Sequence, residues 1–553
     1  MSLTLIQQLQ QALGQDLPRF LPELILCGGI VLLLLMRLFN AFNALHLGWI
    51  ALAITLSALG VAVNQWFDDG QHDAHQDLFS GMLVYDSLTI FLRLFLLTFT
   101  ALVIGLSLLT GIPDREDSAD FNCLLLGATL GMAIMASANH LLMVFIGVEM
   151  ASLPSYALAG FLKGKRQGSE ASLKYVVYGG GASGIMLYGI SLLAGKFGTG
   201  YLPAVAAGYV TAMPVPGGGV PMDPILGLGT LFLLVGICFK LAAVPFHFWC
   251  PDVFEGAAAE VAGFLSVASK GAALALLARV VLVFGGMDTA AGGSNFNWMG
   301  VARILVPVLA LLAAITATFG NLAAYLQTNM KRLLAYSTIA HAGYMMMGLA
   351  TLTREGAGSV LFYLIVYMLM NLGAFASVAF IRNQIGTEDL SGYGGLMRRS
   401  PVLAVSLGIF LLSLLGIPPL AGFAAKYQIF SALYDAGRFY DGAGESGLSI
   451  TMYLLLVIGG LNTVISAVYY IKVLKVVALD APPEEVEGIT PTPLFVPGSS
   501  LAYAGLLAAS IVVVFILWGP LAQAGDRGVH RFNPFPHEKA RVASISGAGG
   551  QER

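Results

Sequence analysis

Apolar residues run through this chain in blocks of about twenty, the length at which a helix crosses a hydrocarbon core. The candidate spans are roughly 21–39, 45–65, 82–110, 120–137, 140–162, 171–194, 224–250, 258–284, 301–323, 332–351, 356–382, 401–435, 449–476 and 500–521. A spanning barrel would instead alternate polar and apolar residues in short strands. The pattern predicts an all-α integral membrane protein of about fourteen transmembrane helices. The first block, Leu21 to Leu38, is preceded by Arg19, ends around Arg37 and lacks a small-residue cleavage site, so a retained helix is expected there. Between Lys196 and Asp223 the chain is rich in Gly and Pro. Its apolar patch from Leu202 to Val210 is too short to span, which predicts a re-entrant or surface segment. The tail from Gly525 to Arg553 reads as flexible.

Composition strengthens the membrane reading. Of 553 residues, 57% are hydrophobic and 11% charged, and mean hydropathy is +0.80. Soluble domains carry about a quarter charged residues, so most of this surface must face lipid. The net charge of −3 says nothing about nucleic acid, and no basic run suggests it as a partner. Cys27, Cys123, Cys238 and Cys250 lie in or beside apolar blocks with no CxxC pair, and read as small buried residues rather than disulfides or metal ligands. With no GxGxxG, Walker loop or HExxH, the sequence offers no site for a nucleotide, haem, iron–sulfur cluster or catalytic metal.

Loop charges set the orientation. Arg37, Arg115, Lys163, Lys165, Arg166, Lys331, Arg332, Arg382, Arg398, Arg399, Lys472 and Lys475 follow odd-numbered spans. Only Lys196, Arg303, Arg354 and Arg438 follow even-numbered ones, and the loop with Asp68, Asp69, Asp73 and Asp77 has no basic residue. The positive-inside rule then places the odd-to-even loops in the cytoplasm and both termini outside. Arg527, Arg531, Lys539 and Arg541 in the tail argue weakly the other way.

Four charges fall well inside the spans: Glu149, Lys240, Lys270 and Lys426. Each costs about 2.5–3.5 kcal/mol at a helix centre on insertion scales. Lys240 precedes Pro245, which removes a donor and frees the carbonyl of Leu241, so that helix should break and line a hydrated cavity. Lys270 lies among Ser266, Ser269 and Gly271, which leave room for close helix contact and water. Lys426 follows Pro418 and Pro419, which free the carbonyls of Leu414 and Leu415, with Gly422 adding flexibility. A lysine in apolar surroundings is destabilised as the cation and can accept and release protons reversibly. Glu149 is then a counter-charge that tunes a neighbouring lysine. The structural alternative for each is a fixed interhelical bond, ion pair or incidental kink. His247 and His341 lie near the same line and can relay protons near neutral pH, although a lone His in an apolar helix is more often a packing residue. His140, at the start of the fifth span, reads as an interfacial residue. Lys240 and Lys426 sit in proline-broken helices five spans apart and of opposite direction. That suggests two inverted five-helix repeats, 120–284 and 301–476, after an N-terminal unit, 1–119, and before a C-terminal one, 477–553.

The segments GVEMASLPSYALAGF, EASLKYVVYGGGASGIMLYG, GICFKLAAVPFHFWCPDVFEGA, KRLLAYSTIAHAGYMMMG and GIPPLAGFAAKYQIF resemble the antiporter-like subunits of proton-pumping NADH-quinone oxidoreductase, bacterial complex I. The likeness runs from about residue 20 to 520, and within the family it is greatest to the N-type subunits. It implies that Glu149 and Lys240 form a coupling pair, that Lys270 is the central lysine and Lys426 the terminal one, and that His247 stands beside the broken seventh helix. It implies no cofactor in this chain, redox chemistry in other subunits, and proton translocation here. Its expected partners are other membrane subunits of one hetero-oligomer, lipids and protons, in the cell inner membrane. Subunits of multisubunit sodium/proton antiporters share these motifs. A lone solute transporter is disfavoured because the buried charges form a line rather than a cluster.

Overall fold

A computed structural model describes residues 12–39, 46–68, 75–162, 164–212, 223–284, 298–486 and 494–530. It begins with α1 (Leu21–Arg37) and α2 (Gly48–Asp68), a hairpin of β1 (Gln76–Leu78) and β2 (Leu83–Tyr85), and α3 (Ser87–Thr110). Then come α4 (Ser118–Ser137), α5 (Leu141–Ala159), α6 (Arg166–Phe197), the short α7 (Leu202–Thr211), α8 (Pro224–Leu241), α9 (Trp249–Gly256) and α10 (Ala259–Phe284). Next are α11 (Trp298–Ala324), α12 (Met330–Ala350), α13 (Arg354–Ile385), α14 (Pro401–Leu415), α15 (Ala421–Gly442) and α16 (Ser446–Ala478). The last helices are α17 (Gly498–Ile516) and α18 (Trp518–Gly528).

Every expected span is helical, but they are not alike. Among the described residues eleven helices are long and apolar enough to cross a membrane, or twelve if the bent pair Ala12–Arg19 and Leu21–Arg37 is one span. The two further expected spans fall short of that test for visible reasons. α12 carries Lys331, Arg332 and His341, and it is buried among other helices along nearly its whole length, so it has little lipid to satisfy. The block 401–435 is divided at residues 416–420 into the 15-residue α14 and the more polar α15.

Burial sorts the bundle. The most apolar stretch of α10 is 100% buried and that of α13 94%, against 28% for α2 and 33% for α16 and α17. The first two are enclosed by protein, and the last three lie on the outside of the bundle. Lys270 lies on α10, so its surroundings are wholly protein. Side-chain bonds between helices help hold this interior, such as Thr100 to Thr129 at 2.9 Å and Asn321 Nδ2 to Asn462 Oδ1 at 3.1 Å.

Two buried ion pairs hold the N-terminal helices, one fastening them to α10 and the other joining α1 to α3. Arg279 on α10 donates to both carboxylate oxygens of Asp86, at 2.8 and 3.1 Å, and to the Ala136 carbonyl at 3.0 Å. Asp86 also caps α3 by accepting from the Thr89 N–H at 2.8 Å. Arg93 on α3 reaches Glu23 on α1 at 2.7 Å.

Two regions bear on the sequence reading. The patch after Lys196 forms the short helix α7, which buries Leu202, Val205, Ala206 and Tyr209 against α10 and leaves Ala204 and Thr211 exposed. Tyr201, at its start, donates to Asp77 at 2.7 Å, and His140 caps α5 by accepting the Leu142 N–H at 3.1 Å. The start of the tail is not flexible: α18 packs on α13 and α3 with Gly525, Gly528 and Val529 buried. Residues 531–553, Lys163, Asp69 and Asp73 lie outside the described residues.

Candidate functional site: buried lysines on broken helices

The two proline-bearing spans break where expected. α8 stops at Leu241 because Ala242 turns into the left-handed region, φ 56°, which side chains rarely adopt. The chain then turns through His247 before α9 begins. Trp249 Nε1 on α9 donates at 3.0 Å to the Phe239 carbonyl, which also accepts the Ala242 N–H, rather than to that of Leu241.

Lys240 is completely buried, and its Nζ donates to Ser152 Oγ on α5 at 2.9 Å. Ser152 is three residues beyond Glu149, so the two share one face of α5. Glu149 is half-buried and accepts a short hydrogen bond from Ser183 on α6. Glu149 and Lys240 interact electrostatically but form no direct ion pair; Ser152 is the hydroxyl that holds the ammonium. This favours a coupled arrangement over a locked one. The two single substitutions Glu149→Gln and Lys240→Met should therefore be non-additive in pumping by about 1–2 kcal/mol. Strictly additive losses in a double-mutant cycle would contradict that coupling.

Lys270 is also completely buried. It follows a π-helical turn, Leu265–Ser269, of the kind often found at functional sites. Its Nζ lies 4.0 Å from Cys250 Sγ, 5.7 Å from the Trp249 ring and 5.3 Å from the Phe254 ring. All three partners belong to α9. The break thus gives Lys240 and Lys270 to its two halves: one lysine ends α8, the other rests against α9.

Lys426 is 4% exposed, donates to the Leu415 carbonyl at 2.9 Å and lies over the Tyr344 ring at 4.6 Å. The carbonyl freed by the prolines is thus taken by the lysine itself. Gly422 does not loosen this helix. Its N–H donates to Ser413 Oγ at 3.1 Å, and a Cβ would collide with the Ser413 carbonyl. Gly422→Ala should force α15 away from α14 and cost about 1–3 kcal/mol. An unchanged thermal midpoint in the solubilised protein would contradict the close approach.

The histidines occupy different settings. His247 is buried in the turn after α8, packs edge-on to Phe319 at 4.5 Å, and leaves its Nδ1 with no protein partner. His341 on α12 is held by Tyr363 Oη at 2.7 Å and Tyr470 Oη at 3.3 Å. It shares a helix face with Tyr344, three residues on, which underlies Lys426. Near it, on α13, lies Tyr367, with ring centroids 5.3 Å apart. The Tyr367 hydroxyl, Asn371 Oδ1 and Ser269 Oγ are buried without hydrogen-bond partners among the described residues. Asn371 donates to Ser266 in the π-helical turn at 2.5 Å. Orphaned polar atoms of this kind call for ordered water. They lie on the elements between Lys270 and His341.

Residues 138–440 match the family described as NADH:quinone oxidoreductase/Mrp antiporter, TM. The chain is 38% identical over 522 residues to NADH-quinone oxidoreductase subunit N of Anaeromyxobacter sp. (strain Fw109-5), covering 93% of this chain and 96% of that protein. The chain belongs to the subunit N family of NADH-quinone oxidoreductase. A chain of respiratory complex I from Thermus thermophilus, solved with bound aureothin, is similar to it with a TM-score of 0.69 and 31% identity, covering 92% of this chain and all of that one. A chain of the Mrp complex from Dietzia sp. DQ12-45-1b superposes with a TM-score of 0.74 but 19% identity, covering 93% and 97%, and shares the fold.

Within this subunit N chain, sequence reasoning missed most partners of the lysines. Ser152 and Tyr344 were within reach, each three residues from a residue already singled out. Trp249, Cys250 and Tyr470 depend on tertiary packing. Arg93 and Arg279 also lie inside predicted spans and are 2% and 1% exposed. They differ in being bonded to carboxylates.

Proposed function

We propose that this chain is a proton-translocating membrane subunit of an NADH-quinone oxidoreductase, coupled to NADH oxidation and quinone reduction in other subunits. It works in a hetero-oligomer in the cell inner membrane, holds no cofactor of its own, and has both termini on the periplasmic side. Its two five-helix units, 120–284 and 301–476, each contribute one broken helix.

One observation carries the reading. The three buried lysines at the helix breaks, Lys240, Lys270 and Lys426, are held by neutral groups, whereas Arg93, Arg279 and Lys331 are held by carboxylates. Lys240 has a serine hydroxyl, Lys270 a thiol and aromatic faces, and Lys426 a carbonyl and a tyrosine ring. A carboxylate partner would fix the cation; neutral dipoles leave both protonation states accessible. Glu149, Lys240, Lys270, His341 and Lys426 then form a line, with His247 beside it. Protonating one lysine lowers the proton affinity of the next, so a proton advances when its neighbour empties. Each charge moved against the membrane potential requires about 2.3 kcal/mol per 100 mV, supplied by the redox subunits.

The sodium/proton antiporter alternative shares this chemistry. Affinity purification through this chain separates the two. We expect a complex that reduces quinone with NADH and acidifies vesicles as it does so. Sodium-driven proton exchange without any NADH oxidation would overturn the assignment.

A further inference from the structure

Resting on that reading, we propose that Tyr175 and Tyr156 relay protons from a charged cavity at the cytoplasmic end of the bundle to Lys270 and Lys240. The cavity has a volume of about 220 Å³ and lies between α6, α9 and α12. Its wall alternates in charge: Lys174 bonds Glu170 at 2.9 Å and Asp252 at 2.7 Å, and Arg332 bonds Asp252 at 2.8 Å and Glu255 at 2.7 Å. Such a wall holds water and gathers protons without a large net field.

Two helices lead inward from it. On α9, Asp252 and Glu255 line the cavity, while Trp249 and Cys250 touch Lys270. On α6, Ala171 lines the cavity and Tyr175 lies one turn further along the same face. The Tyr175 ring stacks on Trp249 at 4.3 Å and meets Tyr156 edge-on at 4.6 Å. Its hydroxyl is buried without a protein hydrogen-bond partner and interacts electrostatically with Tyr156 and Cys250. The Tyr156 hydroxyl is likewise unpaired; it faces Ser152, the serine that holds Lys240, without a hydrogen bond of normal geometry. Gly179 makes room for it, since a Cβ there would overlap the Tyr156 oxygen.

Two adjacent buried hydroxyls with no partner are costly as packing elements, and phenylalanine would fill both places better. As relays they fit. The hydroxyl oxygen accepts a proton from a cavity water on its lone pair and releases its own proton towards the lysine. The tyrosine ends neutral, and one proton has moved inward.

The test is Tyr175→Phe, alone and with Tyr156→Phe, in the whole complex reconstituted in vesicles, with Lys270→Ala measured beside it. The rings and their stacking persist, so assembly and thermal midpoint should hold or rise. Proton pumping should fall on the order of tenfold. Unchanged pumping in the double variant, with Lys270→Ala inactive, overturns the relay and leaves the parent reading standing. Pumping that falls only in step with the thermal midpoint makes the hydroxyls structural and also overturns it. If Lys270→Ala pumps normally, the parent reading itself has failed.

Discussion

Lys270→Ala is expected to yield an assembled complex whose proton pumping is at or below about 1% of the wild-type rate. Lys270 is wholly buried, yet its contacts are a thiol and two aromatic rings, with no carboxylate among them. Removing it therefore orphans no opposite charge, and it relieves the desolvation of an ammonium. Folding should survive. Function should not, because the lysine stands between α9 and the polar atoms of α13 and no other titratable side chain takes that place. The checks are the yield of assembled complex and the acidification of vesicles on addition of NADH. Wild-type pumping by a well-assembled variant would remove Lys270 from the mechanism.

Arg279→Met should do the opposite. Arg279 and Asp86 are 1% and 0% exposed and joined by two hydrogen bonds. Losing the arginine removes a buried cation that bonds both carboxylate oxygens of Asp86, a penalty of about 3–5 kcal/mol. Asp86 also starts α3, and Arg279 bonds the Ala136 carbonyl next to the end of α4, so three helices lose a common tie. The expected result is little assembled protein and a lowered thermal midpoint, with pumping per assembled complex nearly unchanged. The double variant Asp86→Asn, Arg279→Met should recover much of the loss. Normal assembly of the single variant would contradict the structural role given to this pair. Together the two substitutions separate buried charges that work from buried charges that hold.

The fold was legible in the sequence because the hydrocarbon core imposes one length and one polarity on each helix. The breaks were legible as well: Pro245, Pro418 and Pro419 cannot donate, and each lies where the chain leaves a helix. Length and polarity say less where tertiary surroundings replace lipid. α12 can be polar because protein covers it, and α7 is buried although too short to cross. Gly422 read as a flexible point; the structure makes it a place where α15 approaches α14 too closely for a side chain. The site was legible as charges but not as contacts. Glu149, Lys240, Lys270 and Lys426 stand out by type alone, since an ionised side chain in lipid is rare. What each lysine touches depends on which helix packs beside it, and no local pattern encodes that. Tyr470, more than a hundred residues from His341 in the chain, is the plainest case.

The central claim is that these side chains form one hydrated line, and an experimental map of the complex that resolves ordered water tests it most directly. The account predicts water bonded to Ser269 Oγ, Tyr367 Oη and Asn371 Oδ1, continuous from Lys270 to the tyrosines around His341. Dry, close-packed side chains throughout that interval would contradict it.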